Sequence, residues 1–427
     1  MFHYYFKLSL LNIKRAPTLY GLVLLTLAIG LGAFIANIAM INTMASDPIP
    51  SKSDRLFHVS MNTWPEGTPH TQPFAITRYA DSAAILESDV PVRTSVSYQG
   101  IAYPKAAHSK SLTRYRSTLR ATTGDFFDMF NAPFKYGNGF SSESANEVVL
   151  SASMNEQLFG KESSIGKSVD IQDKLYTVVG VLDRWRVRPR FYHPQSGRFD
   201  GTEDIYMPLD VALDANIYNT VQTVSSDNYE SMAETRNGSV YYLQTWVELA
   251  SPADRPAMQQ WLDDYTGQLR DAGQHPNDIL NELHDVNEWL EHEEVVDNRI
   301  LAFAIATALF LVVCLFNASS LLLARYESNQ FETGLKRALG VSRKQLFAQG
   351  MVESVIVGLL AGLASMLLSW LFLQIAKQFL SDFTNIAVIE MDTVFIGLAI
   401  ALITSIVCMA YPLIQAGRHS ISSVLKG

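Results

Sequence analysis

The chain has 427 residues, 48% of them hydrophobic, with 33 Lys and Arg against 42 Asp and Glu. The charge is unevenly placed: 21 bases and 36 acids lie between residues 44 and 298, and 12 bases and 6 acids lie outside, so the middle carries −15 and the ends +6. An acidic middle excludes nucleic acid as a partner, since that needs a basic footprint, and its simplest role is to keep a water-facing domain soluble.

In chain order, residues 1–17 come first, with Phe2, Tyr5, Phe6, Leu10 and Ile13 on one prospective helical face and Lys7, Lys14 and Arg15 among them. They are expected to form an interfacial amphipathic helix, broken near Pro17. Residues 18–46 follow as an uncharged apolar stretch. Three more apolar stretches come late, at 299–324, 346–376 and 393–417, uncharged over 300–324, 354–376 and 393–417. Each can cross a bilayer core of about 30 Å, which takes roughly 20 helical residues. The first stretch is too long for a signal h-region and lacks a small-x-small cleavage site, so it is expected to stay as an anchor. The two cysteines, Cys314 and Cys408, both fall inside spans, which leaves the large domain without a disulfide.

Loop charges set the expected orientation. The N-terminal flank, the 325–345 loop and the 418–427 tail are basic, whereas the 377–392 loop holds Lys377 against Asp382, Glu390 and Asp392. Both termini and the 325–345 loop are therefore expected in the cytoplasm, and residues 47–298 outside it.

The outer domain reads as α+β, with two subdomains. Strands are expected at Arg55–Ser60, Val92–Tyr103 and Val240–Leu249, the last with period-two alternation, and on either side of a Gln172–Asp173 turn within Ser168–Leu182. Helices are expected at Ile76–Glu87, Ala253–Gln274 and Asn277–His292. The last should run unbroken into the second span as a stalk, since no Pro or Gly separates them. Residues 186–239, rich in Pro, Gly, Ser, Asn and Asp, read as long loops.

Within 325–345, Glu332, Lys336, Arg337 and Leu339 fall on about a turn and a half of helix, and Gly340 suits its C-terminal cap. Bases there also satisfy the positive-inside rule and contact with lipid headgroups. Gly160–Ser168 looks like a Walker A loop with one residue too many; it is read as a turn between a helix and a strand. No catalytic set and no metal site stand out, and His284 and His292 read as a solvated helix face. Glu353 is the one acid near a span core and is expected at the membrane edge. Gly358 and Gly362 permit close helix approach, within the bundle or to a second copy. Asn37, Asn42, Asn317, Ser319 and Ser320 are too few to outline a hydrophilic pore.

The run Glu327 to Lys344, with Glu332-Thr-Gly334-Leu-Lys336-Arg337-Ala338-Leu339-Gly340 at its centre and Arg343 near its end, resembles the cytoplasmic loop of MacB/FtsX-like ABC transporter permeases. Thr122–Phe127, Gly137–Phe140, Glu147–Ser151, Leu158–Gly160, Ile165–Lys167 and Tyr176–Leu182 are similar to that family's outer domain, in the same order. Thr333 stands where the family has a branched apolar residue, and the tail lacks a Pro near Ser420; both suggest a divergent branch, such as one half of a heterodimer.

The resemblance implies a membrane α-helical permease of four transmembrane helices, one plus three, in a bacterial inner membrane, with a large periplasmic domain. It implies a coupling helix at 332–343 docked on a cytoplasmic ABC ATPase present in two copies. ATP and Mg would be bound by that partner, with no cofactor on this chain. A second permease, identical or homologous, would complete the bilayer-embedded dimer, with a periplasmic adaptor and outer-membrane channel as further partners. The implied role is mechanotransmission that drives export or extraction of a peptide, antibiotic, lipid or lipoprotein. The alternative is an FtsX-like transducer of a cell-wall hydrolase.

Overall fold

The computed structural model describes residues 2–65, 72–107, 113–296, 298–379 and 391–418. Most of the 377–392 loop and nearly all of the 418–427 tail, Ser420 included, lie outside the described residues. The chain divides into two compact units: residues 1–45 with 296–427, and residues 46–295.

The first unit is helical. Helices α1 (Phe2–Arg15) and α2 (Pro17–Met44) are separated at Ala16, with Pro17 at the first helical position, where its missing N–H costs nothing. Helix α1 packs only in part. Ser9 is buried and Asn12 and Ile13 are half-buried, whereas Phe6 and Leu10 stay exposed. Among the described residues, four helices are long and apolar enough to span a membrane: α2, α9 (Asn298–Ser328), α11 (Arg343–Phe379) and α12 (Met391–Arg418). The short α10 (Gln330–Ala338) lies between α9 and α11.

Helix α2 is the most buried span and packs on both α9 and α11. Two glycines allow this. A Cβ on Gly30 would lie 2.9 Å from Cys314 Cβ of α9, and one on Gly32 would lie 2.9 Å from Leu368 Cβ of α11. Two residues apart on a helix is about 200°, so these glycines open opposite faces. On α11 three glycines meet α12 in antiparallel step: Gly350 against Leu413, Gly358 against Ser405 and Gly362 against Ala401. Gly358 and Gly362 thus face a neighbour in the same chain, which occupies the face that a dimer contact through them would need.

The second unit is built on one connected 13-stranded sheet. Its elements are β1 (Leu56–Met61), β2 (Thr77–Arg78), α3 (Tyr79–Leu86), β3 (Arg93–Ala102), β4 (Lys105–Ala106), β5 (Ser117–Thr122), α4 (Phe126–Met129), β6 (Phe134–Gly137), β7 (Glu147–Leu150), α5 (Ala152–Phe159), β8 (Ser168–Ile171), β9 (Lys174–Leu182), β10 (Ile205–Pro208), α6 (Leu209–Asp214), β11 (Val224–Ser225), β12 (Val240–Glu248), α7 (Arg255–Asp271), β13 (Asn281–Asp285) and α8 (Val286–His292). The strand order is β13-β1-β12-β3-β5-β10-β7-β9-β8-β4, with parallel pairs at β5–β10 and β7–β9. The β8–β9 hairpin turns on Gln172 and Asp173, both at positive φ, as a two-residue hairpin of this hand requires. The Walker-like stretch is the link from α5 to β8, with Gly160 and Gly166 at positive φ.

Four expectations are corrected. Strand β12 is buried along all nine residues instead of alternating, because both faces are covered. Val247 lies under Met258 and Leu262 of α7, and Trp246 lies edge-on to Phe191, 5.3 Å away. Phe191 belongs to the stretch read as loops, so residues 186–239 supply a buried layer and elements β10, α6 and β11 rather than long loops alone. The expected helix 277–292 is strand β13 followed by α8. Asp285 divides them, accepting from Asn287 and Glu288 N–H while Glu288 bonds back to its own N–H. That is a capping box, which starts a helix and cannot sit inside one. Finally, α8 ends at His292 and Glu294 takes φ +48°, so the helix does not continue into α9 as a stalk.

Candidate functional site

The residues singled out between 325 and 345 occupy a helix with defined ends. At its C-terminus Gly340 has φ +97°; its N–H bonds to Arg337 O, and Val341 N–H bonds to Lys336 O, the paired bonds of a Schellman stop. Two residues later Ser342 opens α11. Its N–H donates to Gln345 Oε1, and Gln345 N–H donates to Ser342 Oγ. The expected loop therefore closes at Ser342, and Arg343 is the first residue of the long α11 rather than part of the short helix. Glu332 and Lys336 form an i,i+4 pair at 2.8 Å, and that hydrogen bond holds the Glu332 carboxyl below its ordinary range. Gly334 is buried and Arg337 half-buried, whereas Ala338 and Gly340 are exposed. Phe331, Leu335 and Leu339 are four residues apart and are 64, 46 and 78% exposed. Such spacing makes one apolar ridge.

At the same end of the bundle Glu353 is only 1% exposed. It does not reach outward to an edge, as expected, but is surrounded by groups from three other helices. Asn12 Nδ2 of α1 donates to it at 3.0 Å, the Tyr20 hydroxyl of α2 donates to its other oxygen, and Arg325 Nη1 of α9 pairs with it at 2.6 Å. The Arg325 guanidinium also lies 4.6 Å from the Tyr20 ring centre. A buried carboxylate is tolerable only when paired and hydrogen-bonded, so these four helices are held in one arrangement. Hydropathy had marked Glu353; it gave no sign of Asn12, Tyr20 or Arg325 as its partners.

Residues 20–265 match the family model of the MacB-like periplasmic core domain, and residues 304–421 match the FtsX-like permease C-terminal. The chain belongs to the MacB/FtsX-like family of ABC transporter permeases. It is 20% identical over 310 residues to the macrolide export ATP-binding/permease protein MacB of Acinetobacter baylyi, covering 69% of this chain and 40% of that protein. It is 23% identical over 297 residues to the MacB of Bdellovibrio bacteriovorus, covering 68% and 41%. The permease thus spans about two-fifths of the length of these relatives. The periplasmic region of MacB from Actinobacillus actinomycetemcomitans aligns with a TM-score of 0.36 at 12% identity, covering 58% of this chain and 96% of that one. The extracellular domain of the transporter YknZ from Gram-positive bacteria aligns with a TM-score of 0.32 at 16% identity, covering 50% and 95%.

The permease's outer domain holds a second buried ionic cluster, which sequence reading missed. Arg120 and Glu203 are both fully buried. Arg120 Nε donates to Glu203 Oε1 at 2.9 Å, Arg190 Nη1 approaches the same oxygen at 3.4 Å, and the Tyr192 hydroxyl donates to Oε2 at 3.0 Å. Burial alone would raise the Glu203 carboxyl, but the two guanidiniums outweigh it and hold it low. Arg120 also lies 2.9 Å from His193 Nδ1. These residues are 83 positions apart at the extremes and follow no motif, so no local signal could have found them.

His284 and His292 are placed on β13 and α8, not on one helix face. Their rings are 4.7 Å apart, and Trp289 stacks on His58 at 3.6 Å. Among the described residues, no three His, Cys, Asp or Glu converge as metal ligands would. Burial, with His284 and His292 nearby, lowers the His58 pKa well below its ordinary value.

Proposed function

We propose that this permease is the transmembrane subunit of an ABC transporter whose ATPase is a separate chain. Helix α10, both termini and the Glu353 end of the bundle face the cytoplasm of a bacterial inner membrane, and residues 46–295 face the periplasm. The exposed ridge Phe331–Leu335–Leu339 carries the reading: three large apolar side chains on a short helix closed by a Schellman stop favour a protein groove over water. Two ATPase copies would each take one such helix from a pair of permeases, identical or homologous. The apolar outer row of α9, with Phe303, Leu309 and Phe316 exposed, is available to lipid or to that second permease.

The mechanism proposed is mechanotransmission. Movement of α10 would reach α2, α9 and α11 through the helices gathered at Glu353, and then the outer domain through the chain at Ala45 and Val296. The work would drive export or extraction of a peptide, antibiotic, lipid or lipoprotein, with a periplasmic adaptor and outer-membrane channel as candidate partners. ATP and Mg would be held by the ATPase.

Co-purification of the tagged chain in mild detergent tests this. An ABC ATPase should accompany the native chain. It should be lost from Leu335→Glu with Leu339→Glu, and from Lys336→Glu with Arg337→Glu, while tryptophan fluorescence from the outer domain is unchanged. An ATPase that stays bound to both variants would overturn the docking assignment.

A further inference from the structure

A cavity of about 420 Å³ opens beside Glu353, between α10, the start of α11 and the end of α12. Its polar side holds four bases, Arg325, Lys336, Arg343 and Lys344, and two acids, Glu332 and Glu353. Both acids are already paired, Glu332 with Lys336 and Glu353 with Arg325. Arg343 and Lys344 form no ion pair among the described residues, and both are exposed on the first turn of α11. The opposite wall is apolar: Phe347 and Leu346 of α11, and Leu413 and Ile414 of α12. Phe347 and Ile414 are 43 and 51% exposed, so this wall continues onto the outside of the bundle.

A ligand for this cavity must be anionic at one end and apolar at the other, and it must be found where a spanning helix begins. We infer that the cavity binds the phosphate headgroup of an anionic phospholipid, with Arg343 and Lys344 on the phosphate and the acyl chains along Phe347, Leu413 and Ile414. Basic pockets between spans at a membrane surface suit such headgroups, and the volume is that of a small-molecule site. A nucleotide fits less well, because no glycine-rich loop offers backbone N–H groups to several phosphates. The bound lipid would touch Lys336 of α10 and Arg325 of the Glu353 cluster together, and would therefore stiffen the coupling helix against the bundle. The inference rests on the orientation proposed above only for the leaflet involved; binding itself is read without any ATPase.

Native mass spectrometry of the full chain, released from nanodiscs of mixed phosphatidylglycerol and phosphatidylcholine, tests it. The native chain should retain phosphatidylglycerol in preference to phosphatidylcholine. With about 1 kcal/mol for each base at a membrane surface, Arg343→Gln with Lys344→Gln should cut that preference about thirtyfold. Arg343→Lys with Lys344→Arg should keep it, which guards against simple misfolding, and Lys7→Gln with Lys14→Gln should leave it unchanged. Equal retention of both lipids by the native chain would overturn the proposal. So would an equal loss from the Lys7 and Lys14 variant, which would mean diffuse surface attraction. Displacement of the lipid by millimolar inorganic phosphate would identify a free-anion site instead and would also overturn it. An ATPase that stays bound to both α10 variants, with lipid preference intact, would sink the proposed docking alone.

Discussion

Glu203 of the outer domain and Glu353 of the membrane unit are both buried carboxylates bound to arginine, yet they are surrounded differently. Glu203 takes two guanidiniums and a phenol, all supplied by one strand and the segment that covers the sheet: Arg120 from β5, Arg190 and Tyr192 from residues just before it. Glu353 takes one guanidinium, one phenol and one amide, each from a different helix. The first cluster fastens a cover to a sheet, so its strength is a matter of domain stability. The second is a meeting point of α1, α2, α9 and α11, so its strength sets how firmly those helices are held to one another.

The largest expected effect is at the outer cluster. Glu203→Ala leaves Arg120 and Arg190 buried beside one another, and removing one partner of a buried pair costs about 3–5 kcal/mol. Urea unfolding of the full chain in detergent, followed by near-ultraviolet dichroism of Trp246, should show that loss. Arg120→Met and Arg190→Met with Glu203→Leu should recover much of it, since an apolar replacement then removes all three buried charges together. If the triple variant is no more stable than the single one, the cluster does not act as a unit.

A smaller change in stability, and a larger one in coupling, is expected at Glu353. Glu353→Gln keeps one acceptor oxygen for Tyr20 and Arg325, replaces the oxygen facing Asn12 with an N–H donor, and loses the ionic part of the Arg325 contact, about 1.5–3 kcal/mol for a hydrogen bond to a charged group. The variant should still fold and bind its ATPase, with ATP turnover no longer responsive to reconstitution with the full complex. Unaltered transport by this variant would reduce Glu353 to a packing role.

Next is the glycine seam. Gly358→Leu would push a side chain into Ser405 of α12, where even a Cβ would be 2.9 Å away. Overpacking of this kind costs about 1–3 kcal/mol. A disulfide reporter between copies should be unaffected, since the seam is internal; loss of dimer crosslinking with an intact fold would move these glycines to the dimer interface.

The smallest effect is the pH response of the outer domain. The folded His58 pKa is depressed, so below the unfolded value of about 6.5 the unfolded chain binds the extra proton. Its contribution is fully present above pH 6.5 and is lost as pH falls below it. Glu203, also depressed when folded, contributes above the ordinary carboxylate range and is lost as pH falls further, so acid weakens the domain in two stages. His193 and His284, also lowered by burial, act in the same stage, so His58→Phe should reduce the first stage and leave the second; an unchanged slope between pH 6.5 and 5.5 would exclude His58 as a source.

Helix-forming and span-forming segments were legible because their signals are local. Twenty uncharged residues, a Pro at the start of α2 and a Gly after α10 each act within a few positions. Misreadings arose where a neighbour decided. Residues 281–285 carry no strong strand preference but pair with β1, and a capping box at Asp285 then starts α8. Residues 190–203 have the composition of a loop, and 190–194, 199 and 203 are buried because the sheet needs a second cover.

The sequence by itself determined the four spans, the charge asymmetry between the middle and the ends, the short helix α10 with its glycine stop, and the family. Each depends on composition or on contacts a few residues long. Only the tertiary structure decided what Glu353 and Glu203 are paired with, which faces the glycines of α2 and α11 open, and that the outer domain does not join α9 through an unbroken helix. Those depend on groups up to 341 positions apart being brought within hydrogen-bond reach, and no local pattern encodes which distant partner will arrive.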